Sequence, residues 1–315
     1  MTNNANYLIL AYYFFSPLKN PLEEVQIHKD FLEKLDATCR IYLSEEGING
    51  QLCISKSDAE KYMEWLRNRP EFAQVKFKIH YYHEHVFPRL TIKYRKQLVA
   101  FDADYNLENR GKSVAPQEWK ELLESSQEKV VLDVRNDYEW DIGHFEGAEV
   151  PPCETFRDFN DYARDLKDKV KPDTAVMMYC TGGIRCEFFS ALLKDQGFEN
   201  VYQLDGGVIN YGLQEGSKHW KGKLFVFDDR LAVPISDEKT PIVGKCYHCG
   251  KENEDYYNCA NMDCNFLFMC CKECLKQYLG CCCEECKQAN RLRPYHEQNP
   301  HKPFKRWYHY QKSKT

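Results

Sequence analysis

The amino-terminal part of the chain is a regular succession of apolar and amphipathic segments. Residues 7–15 are aliphatic or aromatic and uncharged, which is typical of a buried strand, and residues 22–35 place apolar side chains at roughly helical spacing. Residues 39–43 and 51–54 have the pattern of two antiparallel strands, joined by a turn at 45–50 that contains glycine and asparagine. These segments predict the order strand, helix, strand, strand.

A second helix and a fourth strand complete this predicted domain. Ser57 is placed to cap a helix that runs to Asn68. Residues 75–80 alternate apolar and basic side chains, as a half-exposed strand does. The order βαββαβ predicts a ferredoxin-like domain over residues 1–96.

Residues 81–96 interleave aromatic rings with cations. Such a surface binds phosphates while its rings stack on unpaired bases, and its candidate nucleic-acid-binding residues are Lys93, Arg95 and Lys96. The same alternation also fits an exposed edge strand whose lysines prevent pairing with other chains. The sequence supports the two interpretations about equally.

The middle of the chain has the pattern of a parallel α/β domain. After a connector at 97–115, residues 130–134 and 175–179 are continuously apolar, as are strands that are covered on both faces. Open α/β sheets place their ligand sites at the carboxyl ends of such strands. The pattern therefore predicts a catalytic α/β domain with a parallel sheet over residues 116–222, in a multidomain chain of mixed α/β and α+β class.

The second of these strands delivers Cys180 into a glycine-bearing loop. Adjacent glycines allow backbone N–H groups to face inward as an anion-binding nest, and a helix predicted over residues 186–196 adds positive potential. Such surroundings lower a thiol pKa, and Arg185 is placed to bind an anion that the sulfur carries. The predicted catalytic residues are Cys180 and Arg185, separated by Thr181, Gly182, Gly183 and Ile184. The alternative is a small buried hydrophobe in a strand-to-helix turn.

Three neighbouring residues receive further assignments. Asp133 and Arg135 follow the first apolar strand and are predicted to brace the domain as a structural ion pair. Cys186 is a candidate resolving thiol, but the helix is expected to point it away from Cys180. The loop is one residue shorter than that of cysteine phosphatases, which suits a persulfide sulfur better than a phosphate.

Composition indicates the cellular context. The chain has 315 residues, a net charge of -5 and 16 cysteines, and its length fits two or three domains. Eleven of the cysteines lie between Cys246 and Cys286 in closely spaced pairs. The first residues lack a basic region, and the apolar run at 7–15 is too short for a signal core or a membrane span. We therefore expect a cytoplasmic protein with reduced thiols and no membrane partner.

Four pairs of cysteines at metal-ligand spacing follow a linker at 223–245. Thiolates spaced in this way close tetrahedral zinc sites, and the intervals allow the first and third pairs to share one ion and the second and fourth pairs another. Cys270, Cys281 and Cys282 are spare thiols, so the ligand choice near residues 281–283 is ambiguous. Structural zinc is favoured over iron–sulfur or redox chemistry, and free reduced thiols are the remaining alternative. The predicted ligands, all within residues 246–286, are Cys246, Cys249, Cys259, Cys264, Cys271, Cys274, Cys283 and Cys286.

The carboxyl-terminal segment is basic and aromatic. Residues 287–315 carry eight Lys or Arg against one Glu, with aromatic rings interspersed. A segment this basic does not form a packed core alone and is typical of an RNA-contacting arm, with Lys305, Arg306 and Trp307 as candidate contacts. The alternative is a tail whose rings dock on the rest of the protein.

Three ordered motifs point to a family. Residues 132–148 and 197–207 resemble the first signature and the last strand of rhodanese domains, and the Cys180 loop lies between them. With the turn Glu46-Gly47-Ile48-Asn49-Gly50 and the cysteine-rich end, the whole chain resembles the bacterial rhodanese-type tRNA uridine hydroxylase family. The resemblance implies oxygen-dependent conversion of the wobble uridine of tRNA to 5-hydroxyuridine. It further implies tRNA as partner, molecular oxygen as co-substrate and an essential cysteine at position 180.

The residues alone favour a different reaction, sulfur transfer through a persulfide on Cys180. Both reactions begin with the same thiolate, which either adds to C6 of uridine and makes C5 electron-rich, or carries sulfur to an acceptor. The sequence contains no nucleotide-cofactor fingerprint and no recognisable histidine–carboxylate iron triad, so the oxygen-activating agent is unassigned. A non-catalytic RNA-binding or zinc adaptor protein is disfavoured, because degenerate rhodanese domains often lose the cysteine.

Overall fold

The computed structural model describes residues 5–101, 103, 105–153 and 156–297. The chain divides into two compact units, one formed by residues 1–135 with 149–214 and the other by residues 136–148 with 215–315. Within the described ranges, no helix combines the length and the apolar character that crossing a bilayer requires.

The first domain is a five-stranded sheet that carries two helices on one face. Its elements are β1 (Tyr7–Phe15), α1 (Pro21–Leu32), β2 (Ala37–Ser44), β3 (Gly47–Ser55), α2 (Lys56–Arg67), β4 (Lys78–Tyr82) and β5 (Leu90–Tyr94). The strands lie in the order β4-β1-β3-β2-β5, and all neighbours are antiparallel except β2 and β5. The first four strands confirm the predicted ferredoxin-like arrangement, and β5 adds a parallel strand at one edge.

Strand β1 has no charged residue because both of its faces are covered. Leu8, Leu10 and Tyr12 belong to the core beneath the two helices. On the opposite face Phe15 packs edge-to-face on Phe188, with 5.5 Å between ring centroids. Successive side chains of a strand point to opposite faces, so this one strand contributes to the cores of two domains.

Two element boundaries in this domain differ from the sequence prediction. Helix α2 has Ser55 rather than Ser57 as its N-cap residue, and the Ser55 hydroxyl donates to Asp58 Oδ2 at 3.0 Å. The helix therefore follows β3 directly. Strand β4 begins three residues later than predicted, because the Val75 N–H donates to the Phe72 carbonyl at 3.0 Å and continues a preceding turn.

The middle domain is built on a four-stranded parallel sheet. Its elements are β6 (Lys112–Val114), α3 (Pro116–Glu124), β7 (Lys129–Asp133), α4 (Asp137–Trp140), β8 (Gly143–Phe145), α5 (Phe159–Lys169), β9 (Ala175–Tyr179), α6 (Ile184–Asp195), β10 (Val201–Leu204) and α7 (Gly207–Glu215). The parallel strands lie in the order β6-β10-β9-β7. Phe159 of α5 meets Phe189 of α6 with 5.1 Å between ring centroids. The predicted parallel α/β architecture is confirmed.

The second compact unit takes α4 and β8 together with the rest of the chain. Its remaining elements are β11 (Trp220–Gly222), β12 (Leu224–Phe225), β13 (Ala232–Val233), β14 (Tyr256–Asn258), β15 (Leu267–Met269) and α8 (Lys272–Gln277). The strands form three antiparallel pairs, β8 with β11, β12 with β13 and β14 with β15. Ile142, Phe225 and Met269 share a core, and the Tyr256 hydroxyl donates to the Tyr138 carbonyl at 2.6 Å. Residues 136–148 therefore fold with the chain that follows residue 215.

Candidate functional site

Cys180 lies at the carboxyl end of β9, inside the parallel sheet. Strand β9 pairs with β7 on one side and with β10 on the other, and all five of its residues are buried. The loop after Cys180 is short and leads directly into α6 at Ile184. The structure thus brings together the loop residues and Arg185, which were predicted as one site.

The backbone of this loop depends on glycine at two positions. Gly183 has φ of +102°, a conformation that favours glycine, and its N–H donates to Cys180 Sγ at 3.1 Å. Gly207, at the start of α7, approaches so closely that a Cβ atom would lie 2.4 Å from the Cys180 carbonyl oxygen. The N–H groups of Val208 and Ile209 bind the carbonyls of Cys180 and Thr181 at 3.0 and 3.1 Å. The loop is therefore held from both ends by backbone contacts.

The surroundings of Cys180 favour its thiolate. Burial raises the pKa of the thiol, but hydrogen bonds from Cys186 and Gly183 and the charge of Arg185 outweigh burial and lower the pKa to about 5. Arg185 is itself buried, and its Nη2 donates to Thr181 Oγ1 at 3.3 Å. At neutral pH Cys180 is therefore charged and suited to nucleophilic attack.

Cys186 faces Cys180, whereas the sequence prediction pointed it away. Helix α6 begins at Ile184, two residues earlier than predicted, so that Cys186 lies in its first turn. Its thiol hydrogen-bonds to Cys180, and burial together with the adjacent thiolate raises the pKa of Cys186 well above its ordinary value. Cys186 therefore acts as a neutral donor to the thiolate of Cys180.

Asp133 and Arg135 form a buried, bidentate ion pair. Arg135 Nε and Nη2 donate to Asp133 Oδ1 at 2.8 Å and Oδ2 at 2.5 Å, and neither side chain is exposed. The hydroxyl of Tyr179, the residue before Cys180, also donates to Asp133 Oδ2 at 2.8 Å. The pair lies at the carboxyl ends of β7 and β9, next to the residue that precedes Cys180. A supporting role for the pair stays a prediction.

The amino-terminal domain supplies residues to this site that the sequence prediction missed. Lys78 of β4 donates from Nζ to the Gly182 carbonyl at 2.7 Å. The Tyr13 hydroxyl of β1 donates to Glu187 Oε1 at 2.9 Å, and a Cβ atom on Gly183 would lie 3.0 Å from that hydroxyl. The alternation at residues 75–80 indicated that Lys78 faces out of its own core. Nothing in the pattern indicated which neighbour it meets.

The predicted RNA-binding residues are only partly within the described ranges. Lys93, Arg95 and Lys96 are exposed in and after the edge strand β5, and the Arg95 guanidinium lies 5.1 Å from the ring centroid of Tyr42. This placement fits both an RNA-binding surface and a protected sheet edge. Lys305, Arg306 and Trp307 lie outside the described residues. RNA binding by either segment stays a prediction.

Eight cysteines of the second compact unit converge in two groups of four. In each group the Sγ atoms lie within 4.8 Å of one another. The Sγ–Sγ distances are 3.8 Å for Cys249 and Cys271 and 3.7 Å for Cys264 and Cys282, close to the value of about 3.8 Å expected between thiolates on one tetrahedral zinc. The pairs alternate between the groups, as predicted, and the donor set fits a structural zinc. The groups are Cys246, Cys249, Cys271, Cys274 and Cys259, Cys264, Cys282, Cys286.

The second group contains Cys282 where the sequence prediction had Cys283. Cys282 Sγ lies 3.8 Å from Cys286 Sγ, and the Cys282 N–H donates to Cys259 Sγ at 3.4 Å. Residues four apart share one face of a helical turn, and the turn here leads into the 3-10 helix Glu285–Gln288. The structure therefore groups Cys282, rather than the predicted Cys283, with the other three thiols. Metal binding by this group stays a prediction.

Comparisons with known proteins cover nearly the whole chain. A family described as an acylphosphatase-like domain of the UPF0176 group matches residues 7–98, and a family described as rhodanese-like domain matches residues 115–212. A third, described as the rhodanase C-terminal region, matches residues 221–287.

Full-length relatives share more than half of their residues with this chain. A tRNA uridine(34) hydroxylase from Protochlamydia amoebophila is 56% identical over 311 residues, covering 98% of this chain and 97% of the relative. The tRNA uridine(34) hydroxylase of Chlamydia felis is 55% identical over 304 residues, covering 96% and 93%. Among solved structures, a rhodanese-like domain protein from Staphylococcus aureus is 25% identical over 32% of this chain and 91% of its own, with a TM-score of 0.28.

Proposed function

The chain belongs to the tRNA uridine(34) hydroxylase family, and we propose that it converts uridine 34 of tRNA to 5-hydroxyuridine with Cys180 as the nucleophile. The observation that carries the role of Cys180 is its position, in a loop at the carboxyl end of a parallel strand where its sulfur accepts the Gly183 N–H. The Gly183 N–H at 3.1 Å, the Arg185 charge and the Cys186 thiol all favour the charged sulfur. Uridine 34 is the wobble base, so the substrate is an unpaired nucleotide that is able to leave its stack.

The proposed reaction begins with addition of the Cys180 thiolate to C6 of uridine. The new S–C6 bond forms as the C5–C6 double-bond electrons move onto C5 and O4, which makes C5 nucleophilic. One oxygen atom of O2 becomes the C5 hydroxyl, while the other leaves as water with two electrons and two protons from an external reductant. Loss of the C5 proton then expels the thiolate and restores the double bond. Molecular oxygen as co-substrate is part of this proposal.

Arg185 and the loop backbone have defined parts in this scheme. The Gly183 N–H and the Cys186 thiol hold the sulfur as an anion before attack and receive it again when it leaves. Arg185 supplies the positive charge that offsets the anion inside a buried site. Thr181 holds the guanidinium through its hydroxyl at 3.3 Å.

We further propose that zinc occupies the two groups of four cysteines in a structural role. Four thiolates complete the tetrahedral shell of zinc and leave no open position for a substrate. Zinc would bind Cys246, Cys249, Cys271 and Cys274 in one group and Cys259, Cys264, Cys282 and Cys286 in the other. We also propose a cytoplasmic location, because none of the 16 cysteines is in a disulfide and reduced cysteines are typical of the cytosol.

The decisive experiment measures nucleosides in tRNA from a host strain that lacks its own uridine 34 hydroxylases. Expression of this protein should restore 5-hydroxyuridine, expression of Cys180→Ser should not, and Cys153→Ser should restore it. Cys153 is a matched control because it is a buried cysteine outside the loop. Full restoration of 5-hydroxyuridine by Cys180→Ser would refute the role of Cys180 as the nucleophile. No restoration by the wild-type protein would refute the proposed reaction.

Sulfur transfer is the second candidate function, favoured by the compact loop between Cys180 and Arg185. The assay is thiosulfate with cyanide, together with the intact mass of the protein. Thiocyanate formation and a Cys180 persulfide support this second reaction, and the absence of both excludes it.

A further inference from the structure

The peptide group between Gly182 and Gly183 is hydrogen-bonded on both of its sides. Its carbonyl, on Gly182, accepts from Lys78 Nζ at 2.7 Å. Its N–H, on Gly183, donates to Cys180 Sγ at 3.1 Å. One planar unit therefore links a lysine of the amino-terminal domain to the nucleophile of the middle domain.

The planarity of this unit couples its two hydrogen bonds. In a trans peptide the C=O and N–H bonds point in opposite directions. A partner that fixes the carbonyl of Gly182 therefore also fixes the direction of the Gly183 N–H. A charged donor on the carbonyl further polarises the peptide and strengthens its N–H as a donor.

Backbone hydrogen bonds hold the carbonyls of Thr181 and Gly183, and Lys78 holds the Gly182 carbonyl between them. Both flanking residues are glycines, whose backbones adopt many conformations at little cost. A Cβ atom on Gly182 would meet nothing within 4 Å, so the space on that side of the residue is open. The Lys78 contact is thus one of the restraints on the orientation of the Gly183 N–H.

Lys78 is placed for this contact by its strand. It pairs with Ala11 of β1, which puts its side chain on the same face of the sheet as Tyr13. Its ammonium lies 5.1 Å from the centroid of the Tyr13 ring. Its stem passes Gly206, where a Cβ atom would lie 2.9 Å from Lys78 Cε, so a larger residue there would displace the lysine.

The charged groups around the Lys78 ammonium belong to the Cys180 site. Burial lowers the pKa of Lys78 to about 8, while the Cys180 thiolate, Asp205 and Glu187 oppose that decrease. Lys78 is therefore mostly protonated at neutral pH and can donate to the carbonyl in the same pH range in which Cys180 is ionised.

We propose that Lys78 is a positioning residue, which holds the Gly182–Gly183 peptide so that the Gly183 N–H stays directed at the Cys180 sulfur. The inference rests on the proposed role of Cys180 as the nucleophile. It makes the amino-terminal domain part of the catalytic apparatus, because the stretch matched by the rhodanese-like family, residues 115–212, does not contain this lysine.

The test is the pH dependence of Cys180 alkylation in the full-length protein. Iodoacetamide is the probe, and mass spectrometry of the Cys180 peptide gives the rate. Lys78→Met keeps the length of the side chain and removes its N–H groups and charge. We expect it to raise the pH at half-maximal rate by about one unit, so that alkylation near pH 5 slows several-fold while the rate at pH 9 is unchanged.

Two further variants serve as controls for Lys78→Met. Lys78→Arg keeps a charged donor, so its profile should shift by at most half as much as that of Lys78→Met. Lys76→Met removes an exposed lysine two residues away and should leave the profile as in the wild type. Thermal unfolding of each variant separates a change in the thiol from loss of the fold, and if Lys78→Met does not fold, Lys78→Gln replaces it.

Superimposable profiles for a folded Lys78→Met and the wild type would overturn the proposal. Equal shifts for Lys78→Arg and Lys78→Met would also contradict it. Because alkylation is measured without tRNA, the result does not depend on the reaction that the enzyme performs. Failure of the proposed hydroxylation would instead appear as unrestored 5-hydroxyuridine in the strain that expresses the wild-type protein.

Discussion

The Cys180 loop and the cysteine-rich region use the same side chain in opposite ways. In the loop a single thiolate is surrounded by donors, the N–H of Gly183, the thiol of Cys186 and the guanidinium of Arg185. The cysteine-rich region contains two groups of four cysteines, and in each group the Sγ atoms lie within 4.8 Å of one another. A sulfur surrounded by donors is suited to attack a substrate, whereas four converging sulfurs are suited to share one metal ion. The neighbours of a cysteine therefore decide whether it is a nucleophile or a ligand.

The sharpest test of this contrast exchanges one cysteine of each region for serine. Cys180→Ser should lower 5-hydroxyuridine in tRNA by on the order of 100-fold or more, because the nucleophile is lost, and should retain about two zinc ions per chain. Cys249→Ser should retain only about one zinc, because a hydroxyl is a poor zinc ligand. Nucleoside and elemental mass spectrometry measure the two effects. Loss of zinc from Cys180→Ser, or full zinc in Cys249→Ser, would contradict the division of roles.

A second comparison separates two adjacent cysteines. Cys282→Ser should lose one zinc and lower the melting temperature of the cysteine-rich region, since a structural zinc contributes many kcal/mol to folding. Cys283→Ser should keep both ions and lower the melting temperature less than Cys282→Ser does, because its half-buried side chain only packs against the core of the region. Loss of one zinc from Cys283→Ser, together with two zinc ions in Cys282→Ser, would support the ligand set with Cys283 that the spacing predicted.

A third comparison weakens the donors around Cys180. Cys186→Ala removes a hydrogen-bond donor from the thiolate, so the pKa of Cys180 should rise from about 5. Thiolate is lost as the pH falls through that pKa, so alkylation near pH 5 should slow by about three- to tenfold and stay unchanged at pH 9. Cys186→Ser keeps a donor and should recover most of the rate. Identical pH profiles for Cys186→Ala and the wild type would show that the thiol of Cys186 is not a donor.

The smallest effect is expected at the edge strand. Replacing Lys93, Arg95 and Lys96 together by alanine should weaken tRNA binding several-fold and reduce the slope of log K against log salt by about 2 to 3. Alkylation of Cys180 should not change. Unaltered binding and salt slope would leave edge protection as the role of these cations.

Local patterns predicted the segments whose structure depends on neighbours in sequence. The uncharged run at 7–15, the apolar strand before Cys180 and the glycines after it all fold as predicted, because side-chain alternation and glycine conformations are local properties. Residue Ser57 shows the limit of that information. It has the chemistry of a cap, but β3 and α2 adjoin at Ser55, and the helix begins there.

The contacts that the sequence did not reveal depend on packing between distant segments. Lys78 and Gly182 are 104 residues apart, and Tyr13 and Glu187 are 174 apart. Alternation indicates that such a residue leaves its own core, but not which surface it reaches. The choice of Cys282 over Cys283 is similar, because ligand spacing fits either residue and only the turn that carries Cys286 distinguishes them.

The complete burial of Cys180 affects how readily its sulfur is oxidised. Thiolates with a low pKa are the cysteines most readily oxidised to sulfenic and then sulfinic acid, provided that oxidants reach them. Cys180 has the low pKa, but its exposed fraction is 0%. Burial therefore slows the reaction of small solutes such as peroxide with this sulfur, compared with an exposed thiolate of the same pKa. The fold thus limits oxidation of the residue that we propose as the nucleophile.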